Sequence, residues 1–96
     1  MSPIECDSIL GALLEKLRLN AALTVDEAAA ASGLSAKRIA GVEEGDGILL
    51  LGDAIPLLRA YGVPFVAFAV RFERACTQAE RRARRSVTPT HVSELR

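Results

Sequence analysis

Leu23-Thr24-Val25-Asp26-Glu27-Ala28-Ala29-Ala30-Ala31-Ser32-Gly33-Leu34-Ser35-Ala36-Lys37-Arg38-Ile39-Ala40-Gly41-Val42-Glu43-Glu44-Gly45 is the stretch on which the fold turns. Thr24 followed three positions later by Glu27 makes a capping box at the start of a helix. Alanines 28–31 continue that helix, and Gly33 takes the left-handed conformation that ends it. Ser35 caps a second helix through Ala36, Ile39 and Val42, which Gly45 stops. The pattern is two short capped helices joined by a tight glycine turn.

Outward from this pair the helical period persists. Leu10, Leu13, Leu14 and Leu17 fall at i, i+3, i+4 and i+7, the apolar stripe of a preceding helix that Asp7 or Ser8 caps. After Gly45 come more glycines around Ile48-Leu49-Leu50-Leu51, a loop of unusually apolar character. A fourth helix follows with Leu57 and Leu58 inward, and Pro56 is expected only in its first turn. Pro64 opens a fifth at its first helical position. No segment alternates as a strand would. The predicted fold class is all-α: five helices near 8–20, 24–32, 35–44, 53–61 and 64–85, the last one long. The expected core comprises Leu10, Leu14, Leu17, Ala29, Ile39, Val42, Leu51, Leu58 and Val63. The organisation is a domain over 1–63, a C-terminal helix over 64–85 that packs on it, and a disordered tail over 86–96.

Composition bounds the function. With 96 residues, half of them hydrophobic, the chain is one globular domain. The single histidine, His91, sits in the final polar stretch, a poor place to hold a catalytic base. There is no phosphate-binding glycine loop and no metal or redox motif, so no enzyme, cofactor or metal is expected. Cys6 and Cys76 are far apart in sequence and read as ordinary reduced thiols. The longest aliphatic run, Ile48 to Leu51, is too short for a bilayer, and Glu5 and Asp7 stand where a signal peptide needs positive charge. A cytoplasmic protein without membrane contact is the expectation. The zero net charge hides an asymmetry: residues 1–63 hold five basic and nine acidic groups, and residues 64–96 hold seven basic and three acidic ones.

Two capped helices around a glycine turn describe a helix-turn-helix. Residues 10–63 resemble the XRE/Cro-type helix-turn-helix domain of phage repressors and many small bacterial regulators. The residues that carry the resemblance are Leu23-Thr24, Glu27, Ala29, Gly33-Leu34-Ser35, Ile39, Val42-Glu43 and Gly45, then Leu51, Leu57-Leu58 and Gly62-Val63. In that family the start of the third helix enters the major groove and the start of the second grips phosphate. By position, the resemblance implies Ala36, Lys37 and Gly41 as base-reading candidates beside Arg38, and Val25 at the phosphate grip. Val25 departs from the glutamine common there. Lysine reads guanine and alanine meets a thymine methyl, but glycine reads nothing. Asp26, Glu27, Glu43, Glu44 and Asp46 surround the two cations with negative charge, which opposes phosphate.

Three further features bear on partners. Ile48, Leu49 and Leu50 exceed what the core needs and form a candidate patch for a protein partner. Phe65, Phe68, Phe72 and Cys76 make a seam on the fifth helix, the candidate interface of a homodimer. Arg81, Arg82 and Arg85 belong to a basic stripe opposite that seam, suited to DNA phosphates. The first expectation is therefore a small DNA-binding transcriptional regulator, homodimeric through its last helix, with double-stranded DNA as partner. The alternative is a protein-interaction module that keeps the fold without binding DNA, such as an anti-activator that binds a regulator.

Overall fold

The computed structural model describes the backbone of residues 3–95 and the side chains of residues 5–84. Among them are five helices and no strand: α1 Pro3–Asn20, α2 Val25–Ser32, α3 Ala36–Glu43, α4 Leu51–Tyr61 and α5 Phe65–Leu95. The expected all-α, five-helix fold is present.

The central pair forms as its caps dictate. The Thr24 hydroxyl accepts from the Glu27 N–H at 3.1 Å, and the Glu27 carboxylate accepts from the Thr24 N–H at 2.9 Å. That main-chain bond, and after it the hydroxyl, holds the Glu27 carboxyl below its ordinary pKa. Gly33 ends α2 at φ +83°, a conformation that costs a glycine little. The Ser35 hydroxyl then accepts from the Arg38 N–H at 3.1 Å and starts α3.

Three boundaries differ from expectation. α1 begins at Pro3, so Asp7 and Ser8 lie inside it and cap nothing; a proline is tolerated in a first turn, where its missing N–H has no partner to lose. α4 begins at Leu51 with Leu50 as a cap that makes no side-chain bond, which places Pro56 inside the helix. The bond that Pro56 forgoes belongs to the carbonyl of Gly52, an exposed residue in the first turn whose carbonyl water can reach. α5 continues past Arg85 to Leu95, so the segment expected to be a disordered tail, 86–96, is helical in backbone as far as Leu95. Pro89 removes one rung of that ladder without ending it.

The core is Leu14, Leu17, Ala28, Ile39, Val42, Ala54, Leu57, Leu58, Tyr61 and Phe68. Leu10, Ala29 and Val63 pack against it half-buried. Ala28, fully buried, takes the place expected of Ala29. Leu51 is corrected outright: it is 68% exposed, because it opens α4 on the solvent side while Leu49 turns in against the core. α4 and α5 meet at 104° around Gly62 and Pro64, which lets Phe68 close the same core as Tyr61. No single helix among the described residues is long and apolar enough to cross a membrane.

Tyr61 brings a hydroxyl into this core that has no hydrogen-bond partner among the described residues. Burial, and after it the nearby Glu43, pushes its pKa up to about 12. The neutral form is the one the fold accepts. Its stabilising contribution is complete below the ordinary value near 10, then shrinks by about 2 kcal/mol as pH rises toward 12, since the unfolded chain ionises first. Tyr61→Phe is expected to cost less than about 1 kcal/mol near pH 7 and to abolish most of this alkaline loss. Urea denaturation at pH 7 and pH 11 checks both halves.

Candidate nucleic-acid interface

The rotation of α3 decides which of its side chains reach outward. Ile39 and Val42 are buried at 2% and 3% exposure, fixing the inward face. At 100° per residue the opposite pole falls on Lys37 and Glu44, with Ala40 and Gly41 between them. Lys37 and Glu44 are indeed exposed, and Ala36, Ala40 and Gly41 are half-buried. The outward surface is thus one lysine at the start of α3, a shallow stretch of small residues, and one carboxylate at its end.

The other sequence candidates are placed less favourably. Arg38 points to the flank, where its guanidinium lies 2.7 Å from the carboxylate of Asp53 in the first turn of α4. Gly41 is turned toward the loop: a Cβ there would stand 3.8 Å from the Gly47 Cα, and its carbonyl accepts from the N–H groups of Asp46 and Gly47. Gly41 thus anchors the loop at the edge of the outward surface, and without a side chain it offers a groove nothing to read. Val25 packs half-buried against the core, so it offers no polar side chain at the expected phosphate grip, where Asp26 beside it is exposed. The structure brings Ala36, Lys37 and Arg38 together at one end of α3 and separates Gly41 and Val25 from them.

Not all five acidic residues repel phosphate. Glu27 is occupied by its capping box. Glu43 points inward, where Arg18 of α1 donates to it twice, at 2.8 and 3.0 Å, and once more to the Leu23 carbonyl at 2.9 Å. The two side chains are only 11% and 5% exposed. This buried fork ties α1 to the end of α3 and raises the Arg18 pKa, chiefly through the bond to Glu43. Asp26, Glu44 and Asp46 remain exposed.

A second residue that positions α3 is Gly11, buried in α1. A Cβ there would come within 2.3 Å of the Val42 carbonyl oxygen and 2.6 Å of that of Glu43. The close approach of α1 to α3 thus occurs at Gly11. A glycine in a helix interior is the signal that could have marked it. For the Arg18–Glu43 and Arg38–Asp53 pairs no such signal exists, since neither spacing is local.

On α5, Arg81 and Arg82 are exposed, and the side chain of Arg85 lies outside the described residues. Arg84 and Glu80 pair at 3.8 Å across one turn. The aromatic seam turns inward: Phe68 is 6% exposed and stacks on half-buried Phe72 at 6.1 Å between ring centres. Cys76 is half-buried. The apolar residues left on the outside are Val66 at 73% exposure, Val70 at 42% and the rim of Phe65 at 36%. In the loop, Ile48 and Leu50 are exposed as expected. Leu49 is not, and Leu51 replaces it in the patch.

A family model described as a helix-turn-helix domain matches residues 9–69. Among solved structures the chain is similar to the wild-type restriction-modification controller protein C.Esp1396I, at 21% identity and a TM-score of 0.70, over 80% of this chain and 99% of that one. A single-substitution mutant of that protein matches at the same identity and TM-score, over 75% of this chain and 91% of its own. No curated protein matches. At this identity the structural likeness speaks to fold alone.

Proposed function

Because this chain belongs to the helix-turn-helix domain family, we propose that it is a small DNA-binding transcriptional regulator, acting in the cytoplasm by binding and not by catalysis. The observation that carries the reading is the set of α3: a Ser35 cap, buried Ile39 and Val42, and Lys37 at the exposed pole. This is the presentation a helix needs to offer its first turn to a major groove. Lys37 reads base edges there, Ala36 offers a methyl-sized contact, and Arg81 and Arg82 supply non-specific attraction to phosphate. Arg38 contributes less than a free arginine because Asp53 shares its charge.

The test is a titration of labelled duplex DNA with three forms of the protein. Lys37→Ala is expected to lose about 1–3 kcal/mol of specific binding. Asp53→Asn is expected to tighten binding by up to about 1 kcal/mol, since it removes a negative charge and releases Arg38. Equal affinity in all three forms would take α3 out of the interface.

The regulator acts as a homodimer. Val66 and Val70 lie one turn apart on α5 with the Phe65 rim beside them, an apolar strip larger than a solvated helix face needs. The dimer face is this strip and not the Phe68–Phe72 seam. Val66→Glu together with Val70→Glu should give folded monomers, whereas Phe68→Glu should prevent folding. Sedimentation of the wild type as a monomer at roughly tens of micromolar would remove the dimer. The second reading, a protein-interaction module without DNA affinity, is favoured by one observation: Ile48, Leu50 and Leu51 stand 76%, 58% and 68% exposed beside α3 and α4.

A further inference from the structure

The middle of α5 carries a cluster of hydrogen-bond donors. At 100° per residue Arg74, Thr77, Gln78 and Arg81 fall within about 100° of one another, turned away from the Phe68–Phe72 seam. All four are exposed. With Glu73 they line an open depression of about 200 Å³. Arg74 and Arg81 stand about 10 Å apart along the helix axis, with Thr77 and Gln78 between them. Neither guanidinium has an ion pair or a hydrogen bond among the described residues. Further along the helix, Arg84 is paired with Glu80 one turn before it. The matching positions around the cluster hold no acid: Gln78 stands four residues after Arg74, and Thr77 four before Arg81. A glutamate at either place would make a helix-stabilising pair, and threonine is a poorer helix former than glutamate. The hydroxyl and the amide add donors instead. Glu73 sits at the edge of this arc, beyond Thr77, and leaves the depression with two cations against one anion.

The geometry points to this depression as a binding site for one phosphate group, held by Arg74 and Arg81 with Thr77 and Gln78 between them. Two guanidinium forks match the oxygens of a phosphate, and charge assistance makes these the stronger bonds. The Thr77 hydroxyl and the Gln78 amide donate to the oxygens that remain. Glu73 weakens the site by repulsion and keeps it selective for groups that bring several acceptors to both arginines. α5 packs on α1 and α4, so the site lies on a different helix from the outward pole of α3. It does not rest on Lys37 reading DNA. The phosphate has two sources of the same chemistry: the backbone of a nucleic acid, or a small phosphate-bearing molecule free in solution.

The experiment titrates the full chain with inorganic phosphate, with pyrophosphate and with a short DNA duplex, at constant ionic strength, and follows N–H signals by nuclear magnetic resonance. The side-chain N–H signals of Arg74, Arg81 and Gln78 should shift together and saturate with pyrophosphate. Arg74→Gln or Arg81→Gln should each weaken this binding by about two- to fivefold, and the double variant by about tenfold. Glu73→Gln should tighten it by about two- to threefold, because a like charge leaves the rim. Arg59→Gln removes an exposed cation of α4 and should change it by less than about twofold, since that charge lies outside the depression. Saturation by the duplex at the same signals assigns the site to a nucleic-acid backbone. Saturation by pyrophosphate without the duplex assigns it to a small molecule and leaves the site standing even where DNA binding fails. Two results would overturn the inference: shifts that never saturate and are spread evenly over all the arginines, Arg59 included, or pyrophosphate affinity unchanged in the double variant.

Discussion

Replacing Gly11 with alanine should be among the most damaging single changes this protein can receive. The added methyl would meet two main-chain carbonyl oxygens of α3, at 2.3 and 2.6 Å, and main-chain atoms cannot swing aside as a side chain does. α1 and α3 must separate, and that opens the layer holding Leu14, Ile39 and Val42. Overpacking of this kind costs about 3 kcal/mol, a large share of what a domain this size commands. The melting temperature should fall by more than about 10 °C. Gly52→Ala is the control. It lies in α4, and a methyl there would meet nothing within 4 Å, so the same chemical change should be neutral or stabilising by up to about 1 kcal/mol. Equal effects at the two positions would show that helix propensity and not the α1–α3 crossing governs Gly11.

Arg18→Ala should be comparably severe for an electrostatic reason. It strips three donated bonds at once and leaves the Glu43 carboxylate, 5% exposed, without its counter-charge. Removing one member of a buried ion pair costs about 3–5 kcal/mol, because the survivor is a desolvated charge. Arg18→Met combined with Glu43→Leu should recover much of that loss, since two apolar side chains of similar bulk leave no charge unpaired. A thermal-unfolding cycle of the two singles and the double checks this. The pair therefore sets where the end of α3 sits, and it presents no free acid to DNA.

How much of this is legible in the sequence follows from the range of each interaction. The α2–turn–α3 unit is fully written there, because Thr24, Glu27, Gly33 and Ser35 act within a few residues of themselves. The rotation of α3, and with it the exposed position of Lys37, follows from the spacing of Ile39 and Val42. The loop differs from its sequence reading at two leucines. Leu51 and not Leu49 is exposed, because the start of α4 depends on Leu50, which carries no capping side chain. On α5 the sequence identifies the seam but not its partner. Periodicity puts Phe68 and Phe72 on a shared face, and it does not say whether that face meets this chain's own core or another chain. Arg38–Asp53 and Arg18–Glu43 join distant segments and leave no local trace.

If the exposed start of α3, backed by the arginines of α5, binds duplex DNA, phosphate contacts must make that binding sensitive to salt. The most direct test is the affinity of the wild-type protein for genomic DNA fragments as salt is raised from about 50 to about 200 mM, a range over which such contacts are displaced. Retardation at micromolar protein in low salt is expected, with an affinity that falls roughly tenfold or more across the range and a shallower fall when Arg81 and Arg82 are neutralised together. Absence of retardation of every fragment at low salt would contradict DNA binding, and the exposed patch of Ile48, Leu50 and Leu51 would then be the surface through which the protein acts.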